Sequence, residues 1–180
     1  MKRYPFYYIP LVLAALVLLG CSGSGKDPRK SKKAKDPAFI DLVEGYYSNP
    51  QNTEEKQQNE IIEFGMDNNL ALQRTALGTY YYIKEPGIGP TLRNGESVSV
   101  HYRGYFLDGR EFDSSYRRNQ PLKFQIGQMI AGWNDALLHF QSKSKGTIIV
   151  PSRLGYGEQG HPSGVVPANT IIAFDVEVLY

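Results

Sequence analysis

The sequence predicts an α+β fold built on an antiparallel β-sheet, and three observations after residue 79 lead to this prediction. Five or six segments alternate apolar and polar residues with the period of two that a half-buried strand requires. One segment, residues 133–140, has its apolar residues at helical spacing instead. Long loops rich in glycine and proline follow the strands. Because roughly 100 residues can bury one sizeable core, we expect residues 79–180 to form a single domain.

The first 20 residues have the pattern of a signal peptide, and we assign them to targeting rather than to the fold. A basic start precedes an apolar run over residues 9–19, which is shorter than the about 20 residues of a membrane span. The run ends at Gly20-Cys21, which resembles the lipobox of bacterial lipoproteins, where the cysteine is lipidated and becomes the first mature residue. The alternative is an ordinary secretory signal with a chance cysteine. Cys21 is the single cysteine of the chain, so no internal disulfide can form.

Residues 21–36 are predicted to form the lipidated cysteine and a basic, flexible tether. A Ser-Gly repeat at 22–25 is typical of flexible linkers, and six basic residues against two acidic ones follow between 26 and 36. The alternative is that these charges lie on anionic lipid headgroups. The basic residues are not interleaved with aromatic ones in a folded segment, so we expect no nucleic-acid partner. The lipobox implies a lipid-anchored protein of the cell envelope, and Ser22 after Cys21 favours the outer membrane, facing the periplasm.

Residues 37–78 are predicted to form a helical N-terminal segment. Asn52 followed by Glu55 is typical of a helix start with an acidic first turn. Further along, residues 62, 66 and 70 are apolar and fall four apart, which is the stripe of an amphipathic helix. Gly65 lies inside this pattern and weakens the case for one unbroken helix. The stripe predicts packing either on the domain that follows or on a second copy, as a homodimer through residues 37–78.

Residues 97–115 have the pattern of a β-hairpin, around which the rest of the domain is organised. Apolar and polar residues alternate at the start of this stretch, and an Asp-Gly dipeptide at 108–109 is a strong signal for a tight turn. Such a hairpin brings Tyr102, Phe112 and Asp113 to a common region. These side chains either line a pocket, or they are ordinary sheet core with Asp113 capping a turn.

The remaining elements follow from the same two periodicities. Four further segments are predicted as strands: 80–83, 122–126, 146–150 and 171–179. A stretch rich in proline and glycine, residues 86–90, ends the first of them. Residues 133–140 are predicted as a short amphipathic helix, and residues 151–168 as a long loop with four glycines and three prolines.

The residues that usually carry enzyme chemistry are sparse. His101, His139 and His161 lie in different predicted elements, so we expect no metal site and no other cofactor. The sequence contains neither a Gly-x-Ser-x-Gly motif before a helix nor a phosphate-binding Walker loop. Asp175 and Glu177 on one strand could suggest acid–base work, but we interpret them as the solvent-facing side of that strand. If the domain is an enzyme, we expect it to work without a nucleophile, a metal or a cofactor.

A series of motifs nevertheless carries a resemblance over residues 79–180. They appear in the order Val100-His-Tyr-Arg-Gly104, Asp108-Gly109, Phe112-Asp-Ser-Ser115, Ile130-Ala-Gly-Trp133, Gly155-Tyr-Gly157, His161-Pro162 and Phe174-Asp-Val-Glu177. In this combination the chain resembles the FKBP-type peptidyl-prolyl cis–trans isomerases. With the lipobox and the helical segment, it is similar to the membrane-anchored forms of Gram-negative bacteria, such as the gliding-motility lipoproteins of the Bacteroidetes.

The resemblance implies a twisted antiparallel sheet wrapped around a short helix, with a prolyl pocket between them. It assigns Trp133 to the pocket floor and Tyr102, Phe112 and Phe174 to the walls. It also implies that the Ile130 N–H and the Tyr156 hydroxyl face a substrate carbonyl. Asp113 would be the polar group at the edge. The implied substrate-binding rim consists of Arg118, Phe124, Met129, His161, Val165 and Val166.

We therefore expect a lipid-anchored isomerase that acts on X-Pro segments of extracytoplasmic proteins and whose pocket could accept a macrolide inhibitor. Two other classes stay open. One is a catalytically weak module of the same fold that binds unfolded or partner proteins. The other is an envelope scaffold lipoprotein whose aromatic cluster is only core.

Overall fold

A computed structural model describes residues 27–180, which form three helices and nine strands. The helices are α1 (Pro37–Glu44), α2 (Thr53–Asp67) and α3 (Ala131–Leu137). The strands are β1 (Gln73–Arg74), β2 (Tyr80–Glu85), β3 (Ile88–Thr91), β4 (Ser97–Phe106), β5 (Glu111–Ser114), β6 (Leu122–Gln125), β7 (Gln141–Ser142), β8 (Lys145–Val150) and β9 (Ile172–Val178). Within this part of the chain, every helix is too short or too polar to cross a membrane.

One antiparallel sheet dominates the molecule, as the sequence predicts. Its strand order is β1-β2-β8-β9-β4-β5, and β6 also pairs with β4. The ten-residue β4 makes this possible, because its first half pairs with β6 and its second half with β5. Strand β9 runs along the other side of β4, so β4 has paired neighbours on both sides. Strands β3 and β7 form a separate two-stranded sheet.

The inner face of the sheet packs on α3. Alternate residues of β8 and β9, such as Ile148 and Phe174, point to this side and form one core with Trp133 and Leu137. The helix can approach closely because Gly132 has no side chain: a Cβ there would meet a Val150 methyl at 2.4 Å. The predicted antiparallel α+β architecture, with a sheet around a short helix, is therefore confirmed.

The outer face of the same sheet carries a second core, formed with α1 and α2. Ile62 and Met66 of α2 pack in one buried cluster with Tyr80, Ile149 and Ala173 of the sheet. The apolar stripe predicted for α2 thus packs on the domain of its own chain, which is the first of the two alternatives. The apolar stripe on which the homodimer prediction rests is therefore buried against the sheet of the same chain.

Helix α2 begins where the sequence predicts. The Asn52 side chain accepts a hydrogen bond from the Glu55 N–H at 2.9 Å, and the Glu55 carboxylate accepts one from the Gln51 N–H at 2.6 Å. This reciprocal arrangement satisfies donors that a helix start otherwise leaves free. The helix runs unbroken through Gly65 and ends at Asp67. The glycine makes room for Leu72, whose Cδ1 would lie 2.7 Å from a Cβ at position 65.

Three further predictions need correction. Residues 27–36 belong to the predicted flexible tether, yet they form short 3-10 helices at Pro28–Lys30 and Lys33–Lys35. They are held because Pro28 is buried and the Lys33 ammonium donates to the Met66 carbonyl at 2.5 Å. Residues 88–91, predicted as part of a break, form β3 because they find β7 as a partner. The predicted helix 133–140 lies at 131–137 instead, since the Ile130 carbonyl accepts from the amides of residues 133 and 134.

The predicted signal peptide and the lipidation site Cys21 lie outside the described residues.

Candidate active site

The inner face brings four aromatic rings together beside α3. Tyr102 comes from β4, Phe112 from β5, Phe174 from β9 and Trp133 from α3. The Trp133 ring centroid lies 5.3 Å from that of Tyr102 and 5.1 Å from that of Phe174, while the Phe112 and Phe174 centroids are 5.7 Å apart. The rings of each pair are nearly perpendicular, at 84° to 88°. Such edge-to-face contacts are favourable beyond the area that they bury.

A missing side chain allows two of these rings to meet. Gly104 of β4 lies opposite Phe174 on one side and next to the β5 residue Asp113 on the other. A Cβ at position 104 would lie 2.8 Å from the Phe112 ring and 3.0 Å from the Phe174 ring. Any larger residue would push these two rings apart, so Gly104 sets the width of the aromatic cluster.

The residues predicted as floor and walls therefore lie in one cluster beside α3. Trp133 is buried, with only 2% of its surface exposed. Phe112, Phe124 and Tyr156 are half-buried around the same core, and the Phe124 ring centroid lies 5.7 Å from that of Trp133. Within the part of the chain that the structure describes, the buried Trp133 Nε1–H has no hydrogen-bond partner. We call this half-open cluster of Tyr102, Phe112, Phe124, Trp133, Tyr156 and Phe174 the aromatic slot.

A charged network closes one edge of the slot. The Tyr102 hydroxyl donates a hydrogen bond to Asp113, and the Arg118 guanidinium donates both to Asp113 and, at 2.7 Å, to the Tyr102 hydroxyl. The Ser114 N–H donates at 2.8 Å to Asp113 Oδ1, the same oxygen that accepts from Arg118. Asp113, the polar group expected at this edge, and the rim residue Arg118 are thus in direct contact.

These contacts determine the protonation states at the edge. Burial alone would raise the pKa of Asp113, but the hydrogen bonds from Tyr102 and Arg118 and the Arg118 charge together hold it below its usual range. Burial raises the pKa of Tyr102 to about 12, and its hydrogen bond to Asp113 acts in the same direction. At neutral pH the network is therefore a carboxylate, a neutral phenol and a guanidinium.

Two further donors border the slot. Ile130 precedes α3, and its N–H makes no hydrogen bond within residues 27–180. The Tyr156 hydroxyl likewise has no hydrogen-bond partner among the described side chains and backbone groups, and burial followed by the Asp113 charge raises its pKa. Both groups are half-buried and can donate to an acceptor that enters from solvent.

The predicted rim residues divide into two groups. His161 lies against Tyr156 with ring centroids 4.8 Å apart, Met129 is half-buried beside the slot, and Val165 is exposed. Val166 is not a rim residue, because only 1% of its surface is exposed and it belongs to the core. Its carbonyl accepts from the His161 N–H at 2.9 Å, which folds the loop over and leaves the Val166 side chain inside.

The sequence analysis assigns no role to two residues that position parts of the site. The Asn134 side chain accepts from the N–H groups of Gly127 and Met129 and donates to the Met129 carbonyl at 2.6 Å, which shapes the turn before Ile130. Ser115 accepts from the Tyr102 N–H at 2.8 Å and donates back to the Tyr102 carbonyl at 3.2 Å. The only sequence signal for either is a polar residue directly beside an aromatic motif.

The alternative acid–base pair lies elsewhere. Asp175 and Glu177 are on the outer face of β9, where Asp175 accepts from the Tyr105 hydroxyl at 3.0 Å and Glu177 from the Tyr116 hydroxyl at 3.1 Å. No group of three or more metal-ligating side chains occurs in residues 27–180. The slot thus offers an apolar binding surface made of aromatic rings, with hydrogen-bond donors at its border.

Comparisons with known proteins agree with this geometry. The family model for FKBP-type peptidyl-prolyl cis-trans isomerases matches residues 89–179. Over 108 residues the chain is 41% identical to a probable FKBP-type isomerase of Haemophilus influenzae, covering 60% of this chain and 44% of the relative. FkpA of Escherichia coli K12 is 35% identical over 108 residues, covering 60% and 39%. The chain spans about two fifths of the length of these bacterial relatives. Fkbp12 of Drosophila melanogaster is 43% identical over 97 residues, covering 52% of this chain and 89% of the relative.

Solved structures give the same fold. AtFKBP13 superposes with a TM-score of 0.56 at 30% identity, covering 61% of this chain and 97% of that one. An isomerase of Pseudomonas syringae superposes with a TM-score of 0.56, covering 79% of this chain and 90% of that one. At 24% identity, the second likeness supports the fold alone.

Proposed function

The chain belongs to the FKBP-type peptidyl-prolyl cis–trans isomerase family, and from this premise we propose that it isomerises X-Pro bonds of extracytoplasmic proteins while anchored to a membrane by lipid. The observation that carries the catalytic part of the proposal is the aromatic slot, bordered by the Tyr102–Asp113–Arg118 network and by two unused donors. The anchoring part is supported by the sequence before residue 22.

The reaction requires rotation about an amide bond, whose barrier is about 20 kcal/mol because resonance must be broken. The slot offers a dry binding space for the proline ring, walled by Tyr102, Phe112 and Phe174 above Trp133. Burial of the ring against these aromatic surfaces holds the substrate. A planar amide is more polar than a twisted one, so removal from water disfavours the ground state more than the transition state.

Hydrogen-bond donors can make this preference larger. The Ile130 N–H and the Tyr156 hydroxyl are unused within the described residues and half-buried at the border of the slot, which supports a role as donors to a substrate carbonyl. Only contacts that strengthen in the twisted geometry accelerate rotation. A rate gain of about 10³ to 10⁶ corresponds to about 4–8 kcal/mol, which a few such contacts can supply.

In this scheme Asp113 positions the Tyr102 hydroxyl and the Arg118 guanidinium. Its depressed pKa and its hydrogen bonds from Tyr102 and Arg118 make it a fixed carboxylate rather than a proton donor. It fixes the Tyr102 ring at the wall of the slot. No proton transfer to or from substrate is needed.

The catalytic proposal is tested by turnover of the full-length chain on a series of X-Pro peptides. We expect turnover in the wild type that falls at least tenfold in Tyr102→Ala and in Asp113→Val, and that a macrolide filling prolyl pockets inhibits. A folded wild-type chain that binds the macrolide without turning over peptides would favour a binding module. Absence of both would favour a scaffold whose slot is only core.

The anchoring proposal is tested by fractionation of cells that express the full-length chain. We expect the wild type in the outer-membrane fraction with incorporated palmitate, and Cys21→Ser without palmitate and outside the membrane fractions. If the two proteins fractionate alike and neither is labelled, the lipid anchor is wrong, although the catalytic proposal would stand.

A further inference from the structure

Helix α2 contacts the substrate loop through one buried amide. The side chain of Gln57, 6% exposed, accepts hydrogen bonds from the Ser152 N–H at 2.9 Å and the Ser152 hydroxyl at 3.0 Å. The same amide donates from Nε2 to the Asn169 carbonyl at 2.8 Å. Ser152 and Asn169 are the two ends of the loop that carries Tyr156 and His161, so a single side chain bridges the base of this loop.

The bridge continues to the residue next to Tyr156. The Gly157 N–H donates to the Ser152 carbonyl at 2.8 Å, and the Asn169 N–H donates to the Gly157 carbonyl at 2.8 Å. Gly157 and Asn169 both have positive φ, 61° and 52°, a conformation that a non-glycine residue adopts mainly where its surroundings hold it. Each end of the loop is therefore tied to Gln57 on one side and to Gly157 on the other.

A second contact between α2 and the loop is weaker. The Glu54 carboxylate pairs with the Arg153 guanidinium at 2.9 Å, but both side chains are largely exposed. Exposed ion pairs contribute little, whereas a buried amide with three partners leaves unsatisfied groups when it is removed. Gln57 is thus the main link, and it lies outside residues 89–179, which the family model matches.

We propose that Gln57 is a positioning residue for catalysis: it fixes the base of the 152–169 loop and thereby keeps the Tyr156 hydroxyl and His161 at the border of the aromatic slot. The inference rests on the proposed function, since it assigns α2 a role in the same site. A donor displaced by even 1 Å loses much of its effect on a transition state. Loss of the bridge should therefore lower kcat more than it raises KM.

The test compares Gln57→Met with Asn59→Leu in the full-length chain. Asn59 is a matched control, because it lies on the same helix, is 7% exposed, and also makes hydrogen bonds in both directions, to the Tyr47 N–H at 2.8 Å and the Tyr47 carbonyl at 2.9 Å. Tyr47 lies between α1 and α2 and not in the substrate loop. Both substitutions nearly preserve side-chain volume, so both should destabilise the fold to a similar degree.

Two readouts are measured where both variants are folded: steady-state turnover of an X-Pro peptide and hydrogen exchange of the Gly157 and Asn169 amides. We expect kcat of Gln57→Met to fall about tenfold and both amides to exchange at least tenfold faster, with neither change in Asn59→Leu. Equal behaviour of the two variants in both readouts would overturn the inference, as would faster exchange with unchanged kcat. If the wild type itself shows no turnover, the proposed function fails, and unchanged exchange in Gln57→Met would then refute the loop bridge separately.

Discussion

The two faces of the sheet are both rich in aromatic residues, yet only one of them forms a site. On the outer face Tyr80 and Tyr105 are buried under α1 and α2. On the inner face Tyr102 and Phe174 are equally buried, but half-exposed side chains surround them and leave the aromatic slot. The difference lies in the covering helices. At 1.5 Å per residue, the 15-residue α2 spans about 22 Å, whereas the seven-residue α3 spans about 10 Å and leaves part of the face open.

The same pairing of tyrosine with aspartate occurs on both faces and has different consequences. On the outer face the Tyr105 hydroxyl donates to Asp175 at 3.0 Å, and burial followed by the Asp175 charge raises the pKa of Tyr105. On the inner face Tyr102 donates to Asp113, and Arg118 completes the network. An aromatic residue beside a carboxylate is therefore not enough to identify a site. The surroundings of the two pairs differ, because the Tyr102–Asp113 pair borders the aromatic slot, whereas the groove beside Tyr105 and Asp175 is also lined by the charged side chains of Lys84, Arg103 and Glu177.

The comparison predicts that the largest effect on stability comes from the outer face. Phe39 of α1 is 4% exposed in the outer core, and Phe39→Ala should cost about 3–5 kcal/mol of unfolding free energy. We expect kcat/KM of the folded protein to stay unchanged, because α1 makes no part of the slot. Urea unfolding and a peptide assay at low denaturant check the two expectations. A loss of kcat/KM in the folded variant would mean that the outer layer acts on the slot through more than Gln57.

A phenylalanine-to-alanine substitution on the inner face should lower the unfolding free energy less and kcat/KM more. Phe112 is half-buried at the wall of the slot, so Phe112→Ala should cost less unfolding free energy than Phe39→Ala. We expect kcat/KM to fall at least tenfold, about 1.4 kcal/mol of transition-state stabilisation, because the proline ring loses a wall. Each variant is the control for the other. If Phe112→Ala turns over peptides like the wild type, the aromatic slot is not where proline binds.

The strands that the sequence predicts are those with an apolar face in the inner core. In β4 and β9 every second residue, such as Tyr102 and Phe174, lies in the core around α3, while the residues between them face the outer side. The short strands β1, β3 and β7 have no such pattern: β1 and β3 are fully exposed, and they exist only because a neighbour supplies backbone partners. Residues 27–36 are similar, because one lysine-to-carbonyl contact and a buried proline fold a segment whose composition indicates a linker.

The same limit applies to the candidate site. The wall and floor residues carry their own chemistry, so a family resemblance can identify them by type and order. Gln57 and Asn134 act through hydrogen bonds to backbone groups that any residue can offer. For Gln57 those partners lie 95 and 112 positions away in the chain. No local periodicity marks such a contact, and only the folded arrangement of α2 over the sheet reveals it.

The smallest expected effect is a change in the Asp113 pKa that distinguishes the two tyrosine–aspartate pairs. Tyr102→Phe removes a donor that holds down the Asp113 pKa, so that pKa should rise, while Tyr105→Phe should leave it unchanged. A carboxylate whose folded pKa is depressed stabilises the fold at pH values above its pKa in the unfolded state, near 3.8. This contribution is lost as the pH falls through the folded pKa. In Tyr102→Phe this contribution should therefore be smaller, and its loss complete at a higher pH, than in the wild type or in Tyr105→Phe. Carboxyl NMR titration of Asp113 measures the shift directly, and kcat/KM should fall only a few-fold because the ring still walls the slot. An Asp113 pKa that is the same in all three proteins would mean that Arg118 alone holds the carboxylate, and that the Tyr102 hydroxyl serves the substrate instead.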